Sequence, residues 1–306
     1  MPEPILHHYD ESPYAEKVRL LFGLKGLAWR SVKIPRIMPK PDLMPLTGGY
    51  RRTPVLQIGA DIYCDTERIA VEIERRHPAP TLFPAGGYGL SAVFGNWVAA
   101  SLFYPAVRYT FGVNADKLPM EFHKDRAAMR GAEPNVERMK AEAPRARNRL
   151  RAELEWLESL LGDGRPYLLG DKPSLADCSV FHCVWYVRRG GPPVSEVLAS
   201  YGRISGWMGR MDAVGHGRRG EMTSQEAPDV AKASHPDVTP LADPADAEGF
   251  RPGDKVSVTA EDTGRDPVVG ELVRLAANEL ALSREHPAVG TVVVHFPRVG
   301  YDLRRA

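Results

Sequence analysis

Three short stretches carry hydroxyls, a carboxylate and a proline where backbone groups are expected to lie free: Ser12-Pro13-Tyr14, Thr53-Pro54-Val55-Leu56 and Asp65-Thr66. Asp65-Thr66 opens a run in which Ile69 and Ile73 recur at helical spacing up to Pro78. A carboxylate and a hydroxyl there sit beside unpaired N–H groups and the positive end of the helix macrodipole. Ser12 precedes a second helical run, Ala15 to Lys25, with Pro13 at a tolerated first-turn position. Pro54 has no N–H to donate at the start of a strand, which leaves the Thr53 main chain for another partner. With a cis Thr53-Pro54 bond, that main chain would face a peptide ligand like one more strand. The chemistry is recognition of a small peptide through its main chain and its charged end.

The elements that must position these groups fall into three parts. Residues 1–82 alternate strand and helix: a strand Ile5 to His8, the Ala15 helix, a strand Ala28 to Lys33, then a hairpin. The hairpin joins Val55-Leu56-Gln57-Ile58 to Ile62-Tyr63-Cys64 through Gly59-Ala60-Asp61, whose Gly and Asp suit positive φ. Leu82 to Gly87 is a linker by composition. Residues 88–215 are helical, with an apolar segment Ala92 to Arg108 and a helix Ala143 to Leu161 carrying Leu150, Leu154, Leu157 and Leu161 on one face. Ser174 and Asp177 have the spacing of a capping box, a structural role. Residues 221–249, rich in Pro, Asp, Ala and Ser, form a linker. In residues 250–306 the period changes to two, with strands expected at Lys255–Thr259, Gly270–Leu275, Glu279–Arg284 and Thr291–Phe296. They suggest a small β barrel or curled meander, docked on the helical domain or on a partner subunit.

Composition excludes several classes. Forty basic residues against thirty-nine acidic leave a net charge of +1, so no global field draws the chain to nucleic acid or a membrane. No apolar run approaches the ~20 residues of a membrane span. Met1-Pro2-Glu3-Pro4 has neither the basic start nor the apolar core of a signal peptide, and a cytoplasmic location is expected. The three cysteines match no zinc or redox spacing. His7 and His8 point to opposite faces of their strand, so no metal is expected.

The first ~80 residues resemble the thioredoxin-like domain of glutathione S-transferases, and Tyr167 to Asp177 resembles the capping motif of that family's all-helical domain. The resemblance implies an α/β thioredoxin-like domain followed by an all-α bundle; the C-terminal β segment departs from the family. It implies that Thr53 and Pro54 pair with the cysteinyl backbone of glutathione, and that Asp65 and Thr66 hold its γ-glutamyl end. Arg51, Arg52 and Lys40 are candidates for the glycyl carboxylate. Ser12-Pro13-Tyr14 resembles the family's active-site turn, making Ser12 the thiolate-stabilising residue, with Tyr9 the rival donor. A small apolar electrophile would sit against Pro13, Tyr14, Tyr104 and Arg108. A homodimer is implied as well. The alternative is a glutathione-binding scaffold without catalysis, whose residues 250–306 engage a protein partner.

Overall fold

The computed structural model describes residues 2–84 and 87–306. Strand β1 (Ile5–His8), helix α1 (Pro13–Leu24) and strand β2 (Ala28–Lys33) open the chain. A short α2 (Met44–Thr47), the hairpin of β3 (Val55–Ile58) and β4 (Asp61–Cys64), and α3 (Thr66–Arg76) follow. β1 runs parallel to β2 and antiparallel to β3, which pairs antiparallel with β4. This is the expected thioredoxin-like arrangement. Alternation along the strands divides their side chains between two cores. Leu6, Leu56 and Tyr63 pack with α1, α3 and the helical domain. Ile5, Val32, Val55 and Ile62 face the opposite side.

Of the expected linker at 82–87, Ala85 and Gly86 lie outside the described residues. Helix α4 (Gly87–Trp97) passes through a π-helical turn, Val98–Leu102, into α5 (Phe103–Val113). Among the described residues one segment, Gly87–Val113, is by length and composition apolar enough to cross a membrane, contrary to the expectation of no such run. One side of it packs on the helical domain, where Leu102 and Ala106 are buried and Trp97 donates to Glu153 Oε2 at 2.8 Å, while Leu90 and Val93 of α4 are exposed. Helices α6 (Met120–Ala128), α7 (Val136–Leu160), α8 (Leu175–Arg189) and α9 (Gly202–Val214) complete the bundle. α7 starts earlier than its leucine face suggests, because Asn135 caps it by accepting from the Arg138 N–H at 2.8 Å. The capping box forms as expected. Asp177 also accepts from Leu168 N–H and from Trp207 Nε1, each at 2.9 Å, and so anchors α8 to α9.

The remaining chain differs most from expectation. Part of the stretch expected as linker, 221–249, is ordered into elements. Strand β5 (Arg218–Met222) adds parallel to β2, and α10 (Glu226–Lys232) buries Ala227 and Ala231 against the sheet. Strands β6 (Lys255–Ala260), β7 (Val268–Ala276), β8 (Glu279–His286), β9 (Gly290–Pro297) and β10 (Tyr301–Arg305) do not close a separate barrel. They continue the first sheet, giving ten strands in the order β10-β6-β7-β8-β9-β4-β3-β1-β2-β5. The seam is parallel pairing of β9 with β4, Asp61 opposite Val293 and Tyr63 opposite His295. An edge strand leaves a row of backbone groups unpaired, and β9 satisfies that row on β4. The docking expected on the helical domain or a partner is therefore made mainly on the thioredoxin-like sheet. Val256, Leu272, Val294 and Phe296 join Ile5 and Val55 in one core.

Candidate functional site

Ser12 is the residue before α1, and its extended backbone (φ −72°, ψ 120°) turns its side chain back over the helix end. Its Oγ accepts from the Ala15 N–H at 3.2 Å, which leaves the hydroxyl proton free to donate elsewhere. The turn is braced from behind. The buried Arg19 donates to the Asp10 carbonyl at 3.0 Å, pairs with Glu16, and lies 3.1 Å from His8 Nδ1. Burial, then the Arg19 charge, hold His8 down at about 2, so it stays neutral. Pro13 sits at the first helical turn. The Tyr14 ring packs against Phe103 and His182, both 4.8 Å between centroids, and joins the turn to the helical domain. Burial pushes the Tyr14 phenol well above its ordinary value. The hydroxyl of the rival donor, Tyr9, accepts from Arg126 Nη2 at 3.2 Å.

The Thr53-Pro54 bond is cis. Among the described residues, the Thr53 N–H and C=O make no hydrogen bond within the protein. Lys40 is buried instead of solvated, and donates to the Arg51 carbonyl at 2.8 Å and to Thr53 Oγ1 at 3.1 Å. Burial, with the Arg126 charge next, lowers Lys40 to about 8. Arg51 pairs with Asp125 of α6, which also accepts from Met38 N–H at 3.1 Å.

Asp65 precedes α3 with φ +73° and ψ 139°, outside the left-handed helical region, a backbone conformation strained for any residue with a side chain. Its Oδ1 accepts from the Glu67 N–H at 2.9 Å, and Thr66 behind it is buried. Glu67 in turn meets the buried Lys17 of α1 at 2.5 Å. One ion pair thus ties together the two helices that carry Ser12 and Asp65. The structure adds partners that the local pattern did not mark. Tyr301 donates to Asp65 Oδ2 at 3.1 Å, its oxygen lying 3.3 Å from the Tyr50 hydroxyl. Arg52 pairs with Asp262 and donates through Nε to the Thr263 carbonyl at 2.9 Å. No sequence signal could have found these contacts, since 236 residues separate Tyr301 from Asp65.

Arginines dominate the edge toward the helical domain. Arg36 and Arg126 stack on Phe122 at 5.1 and 4.6 Å. Partial burial, then the fields of Arg108 and Arg126, hold Arg130 below its ordinary value. Among the described residues, Arg36, Arg108 and Arg130 form no ion pair with a carboxylate. Tyr104 meets Phe103 edge to face at 5.9 Å. The thiols of Cys64, Cys178 and Cys183 are all free and buried, and burial raises each of them.

The chain can be set beside known proteins on this geometry. Residues 6–81 match the model of the glutathione S-transferase N-terminal domain, and residues 140–210 that of the C-terminal domain. No curated protein matches. A crystal structure of a GST-like protein from Pseudomonas syringae shares 39% identity over 100% of both chains, with a TM-score of 0.79. A glutathione S-transferase from Rhodospirillum rubrum matches at 19% identity over 69% of this chain and 88% of its own, TM-score 0.52. A beta-etherase from Sphingobium matches at 17% over 69% and 95%, TM-score 0.53. The two distant likenesses support the fold. The full-length one extends through the C-terminal strands, and on its identity and coverage this chain belongs to the glutathione S-transferase family.

Proposed function

We propose that the protein is a glutathione transferase in which Ser12 stabilises the thiolate of bound glutathione. The observation that carries this reading is the unpaired Thr53 main chain, flanked by two helix N-termini that Lys17 and Glu67 tie together. Glutathione would pair through its cysteinyl N–H and C=O with Thr53, leaving its γ-glutamyl end at Asp65 and Thr66. Its sulfur would then lie at the Ser12 hydroxyl. A free thiol ionises near ~8.5. Lowering that by about two units requires roughly 2.7 kcal/mol of preference for the anion. A charge-assisted O–H···S hydrogen bond from Ser12, added to the field of the α1 N-terminus, is of that order. The thiol proton passes to solvent, the thiolate attacks the electrophile, and the electron pair leaves with the departing group or settles on the acceptor. Ser12 itself forms no covalent bond. The buried, unpaired cysteines suit a reducing, cytosolic setting.

The electrophile is a small molecule with an apolar body, set against Pro13, Tyr14 and Tyr104. The arginines beside them favour an acidic group at its outer end, because Arg108 and Arg130 have no carboxylate of their own. Glutathione titration and conjugation assays on wild type and Ser12→Ala test the reading. Ser12→Ala should bind glutathione within about threefold of wild type, while kcat falls about a hundredfold. The ultraviolet thiolate band of the bound peptide should appear at higher pH. Tight glutathione binding without turnover on any electrophile would leave a binding scaffold and overturn the transferase.

A further inference from the structure

The last strand of the chain reaches into the pocket that the first domain was expected to build alone. We propose that the C-terminal β segment completes the γ-glutamyl end of the glutathione site, with Tyr301 as the residue that positions the Asp65 carboxylate. This rests on the reading of Ser12, Thr53 and Asp65 as a glutathione site.

Asp65 is held at two points, by the Glu67 N–H on Oδ1 and the Tyr301 hydroxyl on Oδ2. A carboxylate has about four lone-pair directions, so two remain for the γ-glutamyl ammonium. Two donors on different oxygens fix the plane of the carboxylate, whereas the helix cap alone leaves rotation about the Cβ–Cγ bond. Tyr301 is itself immobilised. It is buried, packs on Phe296 at 5.3 Å, and lies 3.3 Å from the Tyr50 hydroxyl. Burial, then the Asp65 charge, push its phenol well above its ordinary value, so it remains a donor at any physiological pH.

A second contact from the same segment supports the assignment. The loop between β6 and β7 carries Asp262, Thr263 and Gly264. Asp262 and the Thr263 carbonyl grip Arg52 next to Thr53, and the Gly264 N–H donates to the Met129 carbonyl at 2.8 Å. The loop therefore bridges the thioredoxin-like and helical domains beside the site. Gly264 has φ +61°, a conformation that residues with a side chain rarely adopt, so the turn favours glycine.

The test compares wild type with Tyr301→Phe, which keeps the ring and deletes the hydroxyl. Three thiols are titrated by calorimetry or competition: glutathione, γ-glutamylcysteine and cysteinylglycine. The variant should bind the two γ-glutamyl peptides about tenfold more weakly and cysteinylglycine unchanged, with KM for glutathione raised and kcat kept. Equal affinity for all three in variant and wild type, or an equal loss for all three, would overturn the proposal. Wild type that binds no glutathione would instead remove the reading beneath it, and the proposal with it. Should Tyr301→Phe fail to fold, hydrogen exchange on wild type decides. Glutathione, but not cysteinylglycine, should protect residues 261–265 and 301–305; equal or absent protection there would count against the assignment.

Discussion

The two helix N-termini that carry Ser12 and Asp65 are supported in opposite ways. Ser12 is held almost entirely by its neighbours: its own cap to Ala15, Arg19 one turn further on, and β1 behind it. Asp65 is capped locally too, but its second oxygen depends on the last strand of the chain. The Ser12 hydroxyl is thus held by residues close in sequence, and the Asp65 carboxylate by both ends of the protein. Mutations should be able to weaken recognition without touching reactivity, and the reverse.

The largest effect expected falls on the Ser12 corner and comes from acid. His8 behind the turn and His182 under Tyr14 are buried and neutral, lowered mainly by burial to about 2 and about 3. Their folded values lie below the ordinary 6.5, so the unfolded chain takes up protons that the folded one refuses. The stability these groups contribute is fully present above pH ~6.5 and is lost as pH falls toward ~3. Each is worth roughly 3 kcal/mol or more across that window. Melting temperature should drop steadily from pH ~7 to ~4.5, and His182→Phe should flatten the slope. A melting temperature indifferent to acid would show that this corner does not depend on neutral histidines.

On the other corner, Asp65→Asn keeps the size and shape of the side chain but removes the charge. Glutathione affinity should fall about thirtyfold, near 2 kcal/mol, with kcat at saturating glutathione changed much less. A large loss of kcat instead would mean that the two corners are not separable. The smallest effect concerns Arg108, which has no carboxylate partner among the described residues. Arg108→Gln should raise KM for a carboxylate-bearing electrophile about fivefold, near 1 kcal/mol, and leave glutathione affinity within about twofold. If neutral and acidic electrophiles respond alike, the arginines do not select the substrate.

Much of this was legible in the residues. Short apolar runs, two of them joined by a Gly and Asp turn, placed β1 to β4, and Ser12, Asp65 and Ser174 marked helix starts because a cap is made within three residues. The strands β6 to β9 were visible through their period of two. β10 was not, because only Tyr301 and Leu303 of its five residues are buried, too short an alternation to stand out. α10 was hidden in a stretch whose composition suits a linker. It is helical largely because Ala227 and Ala231 find a sheet to cover, and Gln57 Nε2 donates to the Ala227 carbonyl at 2.9 Å.

By itself the sequence determined the thioredoxin-like elements, the capped helical bundle and the identity of the groups at the two helix starts. These depend on caps, turns and periodicity, which act over a few residues. Only the tertiary structure decided where the C-terminal strands pair, since the row of backbone groups on β4 carries no sequence label for β9. It also decided that Tyr301, Arg52 and Asp262 meet beside Asp65, and that Lys40 turns inward to Thr53 and not out to water. Contacts between residues two hundred positions apart follow from the sheet register, and the register exists only once the chain has folded.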